Sequence, residues 1–157
     1  MNVALILVGK TNEKYLLEGE SEYEKRLKHY VKFSQIVIPE LKQAKNLSEN
    51  EIKNREGKLI LDKLSGSDQL ILLDDKGEQL TSVAFSKWIQ KKMNSGLKNL
   101  VFAVGGAYGF SDEVYERAQG KVSLSKMTFS HQMVRLIFKE QLYRSFTILR
   151  GEKYHHE

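Results

Sequence analysis

Three short segments of unusual composition follow apolar, strand-like runs in the sequence, at residues 73–77, 105–110 and 124–129. The second begins with adjacent glycines, Gly105 and Gly106, which would let a ligand approach the backbone closely enough to hydrogen-bond to its amides and carbonyls. A tight strand-to-helix turn would use the same glycines, and on the residues alone this alternative stays open. Because ligands of open α/β sheets bind at the carboxyl ends of the strands, the three segments are the candidate binding loops.

The usual nucleotide-binding and nucleophile motifs do not fit these loops. A dinucleotide-binding fingerprint needs Gly-x-Gly-x-x-Gly after the first strand and an acid about 20 residues later. Here the glycines follow the fourth predicted strand with the spacing Gly-Gly-x-x-Gly, and Ser125 occupies the place of the acid. The sequence also contains no P-loop and no Gly-x-Ser-x-Gly elbow. Dinucleotide binding and serine-nucleophile chemistry are therefore disfavoured.

Length and composition predict one cytoplasmic domain, residues 1–157. Of the 157 residues, 41% are hydrophobic, which is enough for a continuous core. The absence of cysteine excludes disulfides and cysteine-bound zinc. The apolar run at residues 2–8 is too short to span a bilayer. We therefore expect no membrane span. Adjacent histidines such as His155 and His156 rarely point at one ion, so we also expect no metal site.

The positive charge is concentrated near the C-terminus. The net charge is +5, and from Lys121 onwards seven basic residues face three acidic ones, which places +4 in the last quarter of the chain. This distribution favours a polyanionic partner, although a solvated basic helix face would explain it equally well.

Apolar runs rich in β-branched residues alternate with stretches of helical periodicity, which is the pattern of a parallel sheet flanked by helices. We therefore predict a single-domain α/β fold. Its expected strands are residues 2–8, 33–38, 69–73, 99–104 and 121–125, and its first and last helices are residues 12–30 and 130–149. The run Asp74-Asp75-Lys76-Gly77 predicts a turn that closes the third strand ahead of a helix. Tyr15 is placed on the buried stripe of the first helix.

Local signals also predict helix ends and packing faces. Ser48 and Glu51 form a capping-box pair, and Ser111 is placed to start a short helix. Gly96 and Gly151 stand where helix C-caps are expected. Three residues at helical spacing are assigned to core or dimer packing rather than to base stacking: Phe85, Trp88 and Met93.

Several motifs, taken in order along the whole chain, resemble one family. They are Leu5-x-x-Val8-Gly9-Lys10, Tyr23-Glu24-Lys25-Arg26-Leu27, Gly105-Gly106-x-x-Gly109, Leu124 to Phe129 with His131-Gln132-Met133 and Arg135, Glu140-Gln141-x-Tyr143-Arg144, and Tyr154-His155. Their joint order and spacing is similar to that of the RlmH-type RNA methyltransferases of the SPOUT superfamily. The resemblance implies a parallel-sheet fold with a C-terminal deep trefoil knot, a homodimer, and methyl transfer from S-adenosylmethionine to N3 of a pseudouridine in 23S rRNA of the assembled ribosome.

The resemblance also assigns cofactor contacts, and they fall on the three loops already singled out. The implied contacts are Leu73, Gly105, Leu124, Ser125, Lys126, Met127, Thr128 and Phe129. An adenine held between Leu73 and Leu124 would meet backbone hydrogen-bond partners without a charged side chain, as small-ligand sites usually arrange.

Catalysis requires alignment of N3 with the methyl group and help with the loss of the N3 proton, without a metal. The candidate helpers are His131, Arg135, Tyr154 and His155, and the expected RNA-contacting surface consists of Lys126, Arg135, Arg144 and Lys153. Structural roles without a catalytic or RNA-binding function remain open for three of these residues. His131 would serve equally as a structural histidine, Arg135 as a partner in a surface ion pair with Glu140 or another acid, and Tyr154 as part of a frayed end.

Other functions remain compatible with these residues. A SPOUT methyltransferase acting on tRNA differs only in its substrate, and a non-catalytic dimeric RNA-binding factor would keep the fold without the chemistry. A flavodoxin-like cofactor domain is the weakest alternative. The sequence departs from the family pattern at His156, where an arginine or lysine is expected, so a phosphate contact there would weaken near neutral pH.

Overall fold

A wholly parallel five-stranded sheet forms the centre of the protein in the computed structural model, which describes residues 1–156. The predicted end of the domain, Glu157, lies outside the described residues. The elements follow one another as β1 (Asn2–Val8), α1 (Lys14–Leu27), β2 (Lys32–Ile38), α2 (Glu49–Leu61), β3 (Gln69–Gln79), α3 (Ser82–Asn94), β4 (Asn99–Val104), α4 (Asp112–Arg117), β5 (Gly120–Ser123) and α5 (Met133–Leu149). The strand order is β2-β1-β4-β3-β5.

The three inner strands β1, β4 and β3 are buried on both faces, which explains why each reads as a nearly continuous apolar run. One face packs against α1, α3 and α5, and its centre is the pair Phe102 and Phe138, whose ring centroids lie 4.7 Å apart. The other face packs against α2 and α4 through residues such as Ile60 and Val114. The predicted α/β class with a parallel sheet is confirmed.

The predicted helix ends are confirmed at several positions. Ser48 and Glu51 form both hydrogen bonds of the capping box, and the Ser111 side chain accepts from the backbone of Val114. Gly96 and Gly151 follow α3 and α5 with φ of +76° and +66°, the left-handed conformation that favours glycine.

Two helices are shorter than predicted. The first begins at Lys14 and ends at Leu27, and the last begins at Met133 rather than at residue 130. Tyr15 is 61% exposed, so its placement on the buried stripe was wrong. Helical periodicity alone does not say which turn of a helix meets the sheet.

The packing assignment for α3 is correct in part. Phe85 is buried and stacks on the half-buried Trp88, with ring centroids 5.9 Å apart. Met93 is exposed and is not a core residue, and its assignment to dimer packing stays a prediction. Trp88 also lies within 6.2 Å of the Phe102 ring, so both aromatic residues of α3 contribute to the core.

The turn predicted to close the third strand does not end it. The backbone of Lys76 donates to the Asp74 carboxylate, which is the expected turn chemistry, but β3 then resumes and pairs with β5 as far as Gln79. Gly77 permits this return because a Cβ there would lie 2.5 Å from the backbone of Val122. The turn is an irregularity within a longer strand.

The strand order names neighbours in the sheet and not the threading of the chain, so the trefoil knot stays a prediction. Among the described residues, no helix is both long and apolar enough to cross a membrane.

Candidate functional site

A pocket of about 400 Å³ opens at the carboxyl ends of β3, β4 and β5. Leu73 ends the part of β3 that pairs with β4, Val104 ends β4, and Val122 lies in β5, so the floor of the pocket is the carboxyl edge of the sheet. Residues from all three candidate loops line this one cavity. The volume is in the range of sites that enclose a small organic ligand.

The glycine loop after β4 forms one wall, and Gly105 and Gly106 leave little room there for a Cβ. Gly106 and Gly109 pair through an isolated bridge, and Gly109 has a φ of +82°. A Cβ on Gly105 would lie 3.2 Å from Gly109, and a Cβ on Gly106 would lie 2.5 Å from the carboxylate of Glu56. At these glycines the wall presents backbone atoms to a ligand.

The loop between β5 and α5, residues 124–132, forms the opposite wall. The Ser123 hydroxyl donates to the Ser125 carbonyl at 2.9 Å, and the Ser125 hydroxyl accepts from the Met127 amide at 2.9 Å. These two bonds hold the loop in a turn whose outermost side chain, Met127, is 77% exposed. We call residues 124–132 the β5–α5 loop.

The structure gathers most of the predicted cofactor contacts around the pocket. Those that line it are Leu73, Gly105, Leu124, Ser125, Met127, Thr128 and Phe129. Lys126 is exposed on the same loop but is not part of the wall. His131 also lines the pocket, so it is the one proposed catalytic residue that lies beside these contacts.

Two acidic residues of the pocket, Asp74 and Asp75, were treated only as turn residues in the sequence. Asp74 accepts a short hydrogen bond from the Tyr115 hydroxyl and another from the backbone of Lys76. Burial opposes ionisation of Asp74, but these hydrogen bonds outweigh it and lower its pKa. Asp74 therefore presents a negative charge at the rim of the pocket at neutral pH.

Glu56 lies behind the glycine loop and is a third carboxylate to which the sequence analysis assigned no role at the site. Its side chain is buried against Gly106, and its Oε1 has no hydrogen-bond partner among the described residues. Burial, followed by the nearby charge of Glu40, raises the pKa of Glu56.

The position of Arg135 differs from the one predicted from the sequence. Its side chain has 0% exposure and does not line the pocket, so its assignments to the RNA-contacting surface and to the catalytic residues are wrong. The alternative, a surface ion pair with Glu140 or another acid, is also wrong, because Arg135 is buried and Glu140 pairs with Arg144. The guanidinium instead donates to backbone carbonyls at the end of β1.

The C-terminal tail is docked and not frayed. Tyr154 donates to Glu140 at 3.0 Å and shares a hydrogen bond with the Tyr23 hydroxyl at 3.2 Å, while a nitrogen of Arg144 lies 3.3 Å from Nδ1 of His155. We call these five residues the tail cluster. None of them lines the pocket of its own chain.

Two groups of the tail cluster, Tyr154 and Arg144, have raised pKa values. Burial, the hydrogen bond with Tyr23 and the charge of Glu140 raise the pKa of Tyr154 well above its ordinary value, so the phenol stays protonated at neutral pH. The hydrogen bond to Glu140 raises the pKa of Arg144.

Of the other residues expected on an RNA-contacting surface, Lys153 is exposed.

Among residues 1–156, no group of three or more acidic or histidine side chains is placed to hold a metal ion.

A parallel sheet with a main-chain-lined pocket at its carboxyl edge agrees with the class that the motifs indicated. The family model described as predicted SPOUT methyltransferase matches residues 1–155. The chain therefore belongs to the SPOUT methyltransferase family and is an enzyme, a methyltransferase.

Within that family, this chain is similar over its full length to proteins named ribosomal RNA large subunit methyltransferase H. The relative from Flavobacterium johnsoniae is 61% identical over 100% of both chains. The relative from Cytophaga hutchinsonii is 60% identical over 99% of this chain and 100% of its own, and that from Christiangramia forsetii is 57% identical over 99% of each. The resemblance found in the motifs is confirmed.

Proposed function

We propose that this protein is an S-adenosylmethionine-dependent methyltransferase that modifies N3 of a pseudouridine in 23S rRNA of the assembled ribosome. It acts in the cytoplasm as a homodimer. The observation that carries the proposal is the convergence of residues 73–75, 105–110 and 124–131 on one pocket in a chain of this family. The names of the full-length relatives supply the RNA substrate.

The pocket suits the adenosyl part of the cofactor. Leu73 and Leu124 offer apolar surfaces for a flat base, and the glycine loop offers backbone amides and carbonyls for its edge. Asp74 and Asp75 place negative charge at the rim, which favours a cationic ligand. When bound, the cofactor supplies a methyl group already activated by a sulfonium.

The protein then has two tasks, which are to align the target base and to assist the loss of its N3 proton. Of the candidate helpers, only His131 lies in the pocket wall of its own chain. The Tyr154 phenol, held protonated, has one hydrogen, and turning it from Glu140 to an oxygen of the base would make it a donor to the substrate. Arg144 is suited to neutralise developing negative charge.

The tail cluster does not line the pocket of its own chain, and in the proposed dimer it serves the pocket of the second copy. The proposed dimer thus has two composite sites, each with a cofactor pocket from one subunit and a tail cluster from the other. Such reciprocal contacts are what two-fold symmetry produces.

Mass spectrometry of 23S rRNA fragments tests the reaction. Ribosomes that lack the modification are incubated with enzyme and S-adenosylmethionine, and the expected result is the mass of one methyl group on the pseudouridine. Methylation of tRNA instead of ribosomes would overturn the substrate. The absence of cofactor binding by calorimetry would favour a non-catalytic RNA-binding factor.

Mixed dimers test the composite site. Subunits carrying Gly105→Val lack the pocket, and subunits carrying Tyr154→Phe with His155→Ala lack the tail groups. If the sites are shared, co-refolding these two inactive variants restores about a quarter of wild-type activity, because half of the dimers are mixed and each has one complete site. If each subunit used its own tail, the mixture would remain inactive.

A further inference from the structure

The β1–α1 connection, residues 9–13, is attached to the start of α5 by two side chains that do not line the pocket. The first is Arg135, whose Nε donates to the His131 carbonyl at 2.9 Å. Its two terminal nitrogens donate to the carbonyls of Val8 and Gly9, at 2.8 and 2.9 Å. One guanidinium therefore joins the end of β1 to the last residues of the β5–α5 loop.

The second side chain is Gln132. Its Nε2 donates to the Lys10 carbonyl at 3.1 Å, and its Oε1 accepts from the Asn12 amide at 2.9 Å. Gln132 occupies the N-cap position of α5 but makes no capping hydrogen bond, because its amide is directed to the β1–α1 connection. Gln132 and Arg135 together are called the clamp below.

The clamp lies between groups that form the pocket. His131 precedes Gln132 and Val134 precedes Arg135, and both His131 and Val134 line the cavity. Upstream, the β5–α5 loop leaves Ser123 at the end of β5, so the sheet fixes that end. The downstream end of the loop, next to α5, is paired with no strand of the sheet. Between the two ends of the loop, the exposed side chains of Met127 and Phe129 contribute little packing.

The charge of Arg135 is compensated without an exposed ion pair. Its Nη1 also donates to the Thr11 hydroxyl at 3.1 Å, and that hydroxyl donates to the buried carboxylate of Glu20. Burial lowers the pKa of Arg135, while the charges of Glu20 and Glu40 oppose this effect. A buried ion held in this way is weak evidence for stability, since apolar replacements often fold equally well. Its three directed bonds to carbonyls instead fix geometry.

We infer that Gln132 and Arg135 are positioning residues that fasten the downstream end of the β5–α5 loop to the β1–α1 connection and so hold the cofactor pocket in its binding geometry. The inference rests on the proposed use of this pocket for S-adenosylmethionine. A lysine at position 135 has one nitrogen and cannot satisfy three carbonyls in different directions. An alanine at position 132 removes both the donor and the acceptor.

The chain offers a matched control on the opposite edge of the sheet. Arg117 donates to the carbonyls of Ser65 and Asp68, and Gln119 donates to the Arg117 carbonyl and accepts from the Leu70 amide. This pair uses the same chemistry as the clamp but is not part of the pocket. Arg117→Lys and Gln119→Ala therefore report the structural cost of losing such bonds.

The test measures S-adenosylmethionine binding by calorimetry and steady-state kinetics on ribosomes for these four variants and for Gln132→Glu. Gln132→Ala and Arg135→Lys should weaken cofactor affinity about tenfold. They should raise KM for the cofactor and leave kcat at saturating cofactor nearly unchanged. The controls should match the wild-type KM despite any similar loss of thermal stability. Gln132→Glu, which keeps the acceptor for Asn12, should recover part of the affinity.

Wild-type cofactor affinity in folded Gln132→Ala and Arg135→Lys would overturn the inference and leave the proposed function intact. Equal losses of affinity in the clamp and control variants would also overturn it, because the effect would then follow from stability alone. If the wild-type protein binds no cofactor, the proposed function fails first and the inference fails with it.

Discussion

Gly105 approaches Gly109 so closely that a Cβ on Gly105 would lie 3.2 Å from the Gly109 carbonyl carbon. The φ of Gly105 is not in the left-handed region, so space and not backbone strain requires glycine there. The contact closes the glycine loop after β4 and shapes the wall of the pocket.

We expect Gly105→Val to abolish S-adenosylmethionine binding while the dimer remains, because the branched side chain must displace the Gly109 backbone or enter the pocket. Calorimetry measures the affinity and light scattering measures the mass. Gly66→Val is the control, since a Cβ on Gly66 has no atom within 4 Å. Unchanged affinity in folded Gly105→Val would contradict the proposed pocket.

We expect Glu56→Gln to stabilise the protein increasingly as the pH rises. The folded state raises the pKa of Glu56 through burial and the charge of Glu40, so folding favours the protonated form. The stability from this group is present below its unfolded pKa and is lost as the pH rises through its folded pKa. Thermal unfolding should show a higher Tm for the variant at about pH 8 and little difference at about pH 4.

The exposed Glu116 provides the control for charge, because Glu116→Gln removes the same negative charge from α4. A stability gain for Glu56→Gln that does not change with pH would contradict the role assigned to burial.

Reversing the charges of Lys126 and Lys153 should weaken ribosome binding and make it less dependent on salt. Each lost phosphate contact makes the negative slope of log K against log salt shallower by about 1. Lys58 and Lys63 are exposed lysines of α2 and the segment after it, and reversing them changes the net charge equally. Identical binding curves for both double variants would show that only net charge matters.

Phe138→Ala should lower the free energy of unfolding by about 3–5 kcal/mol, because Phe138 is fully buried and packs on Phe102. Chemical denaturation measures this loss. Phe138→Leu keeps most of the volume and should cost less. A loss below about 1 kcal/mol for the alanine variant would mean that the core on this face collapses around the cavity.

Local sequence patterns predicted the parts of the fold that depend on neighbouring residues. Each of these parts is encoded by residues that are a few positions apart. They are the capping box at Ser48, the left-handed glycines after α3 and α5, and the apolar strands. The three pocket loops were found in the same way, since each directly follows a strand. The full-length motif pattern supplied the family.

The wrong predictions concern polar side chains that can either face solvent or bind groups distant in the sequence. Arg135 reads as a free cation in a basic segment, and nothing nearby in the sequence shows that the carbonyls of Val8 and Gly9, more than 100 residues away, accept its hydrogen bonds. Gln132 appeared only as part of a motif, without the acceptor and donor that give it a task.

The sequence by itself determined the order of strands and helices, the loops that form the pocket, and the family, because periodicity, caps and motifs are local or additive along the chain. Only the tertiary structure decided that Arg135 is buried, that Glu56 stands behind Gly106, and that Tyr154 is held by Glu140 away from its own pocket. These outcomes depend on which distant surfaces meet when the helices pack on the sheet, and burial then sets both the pKa and the partners of each group.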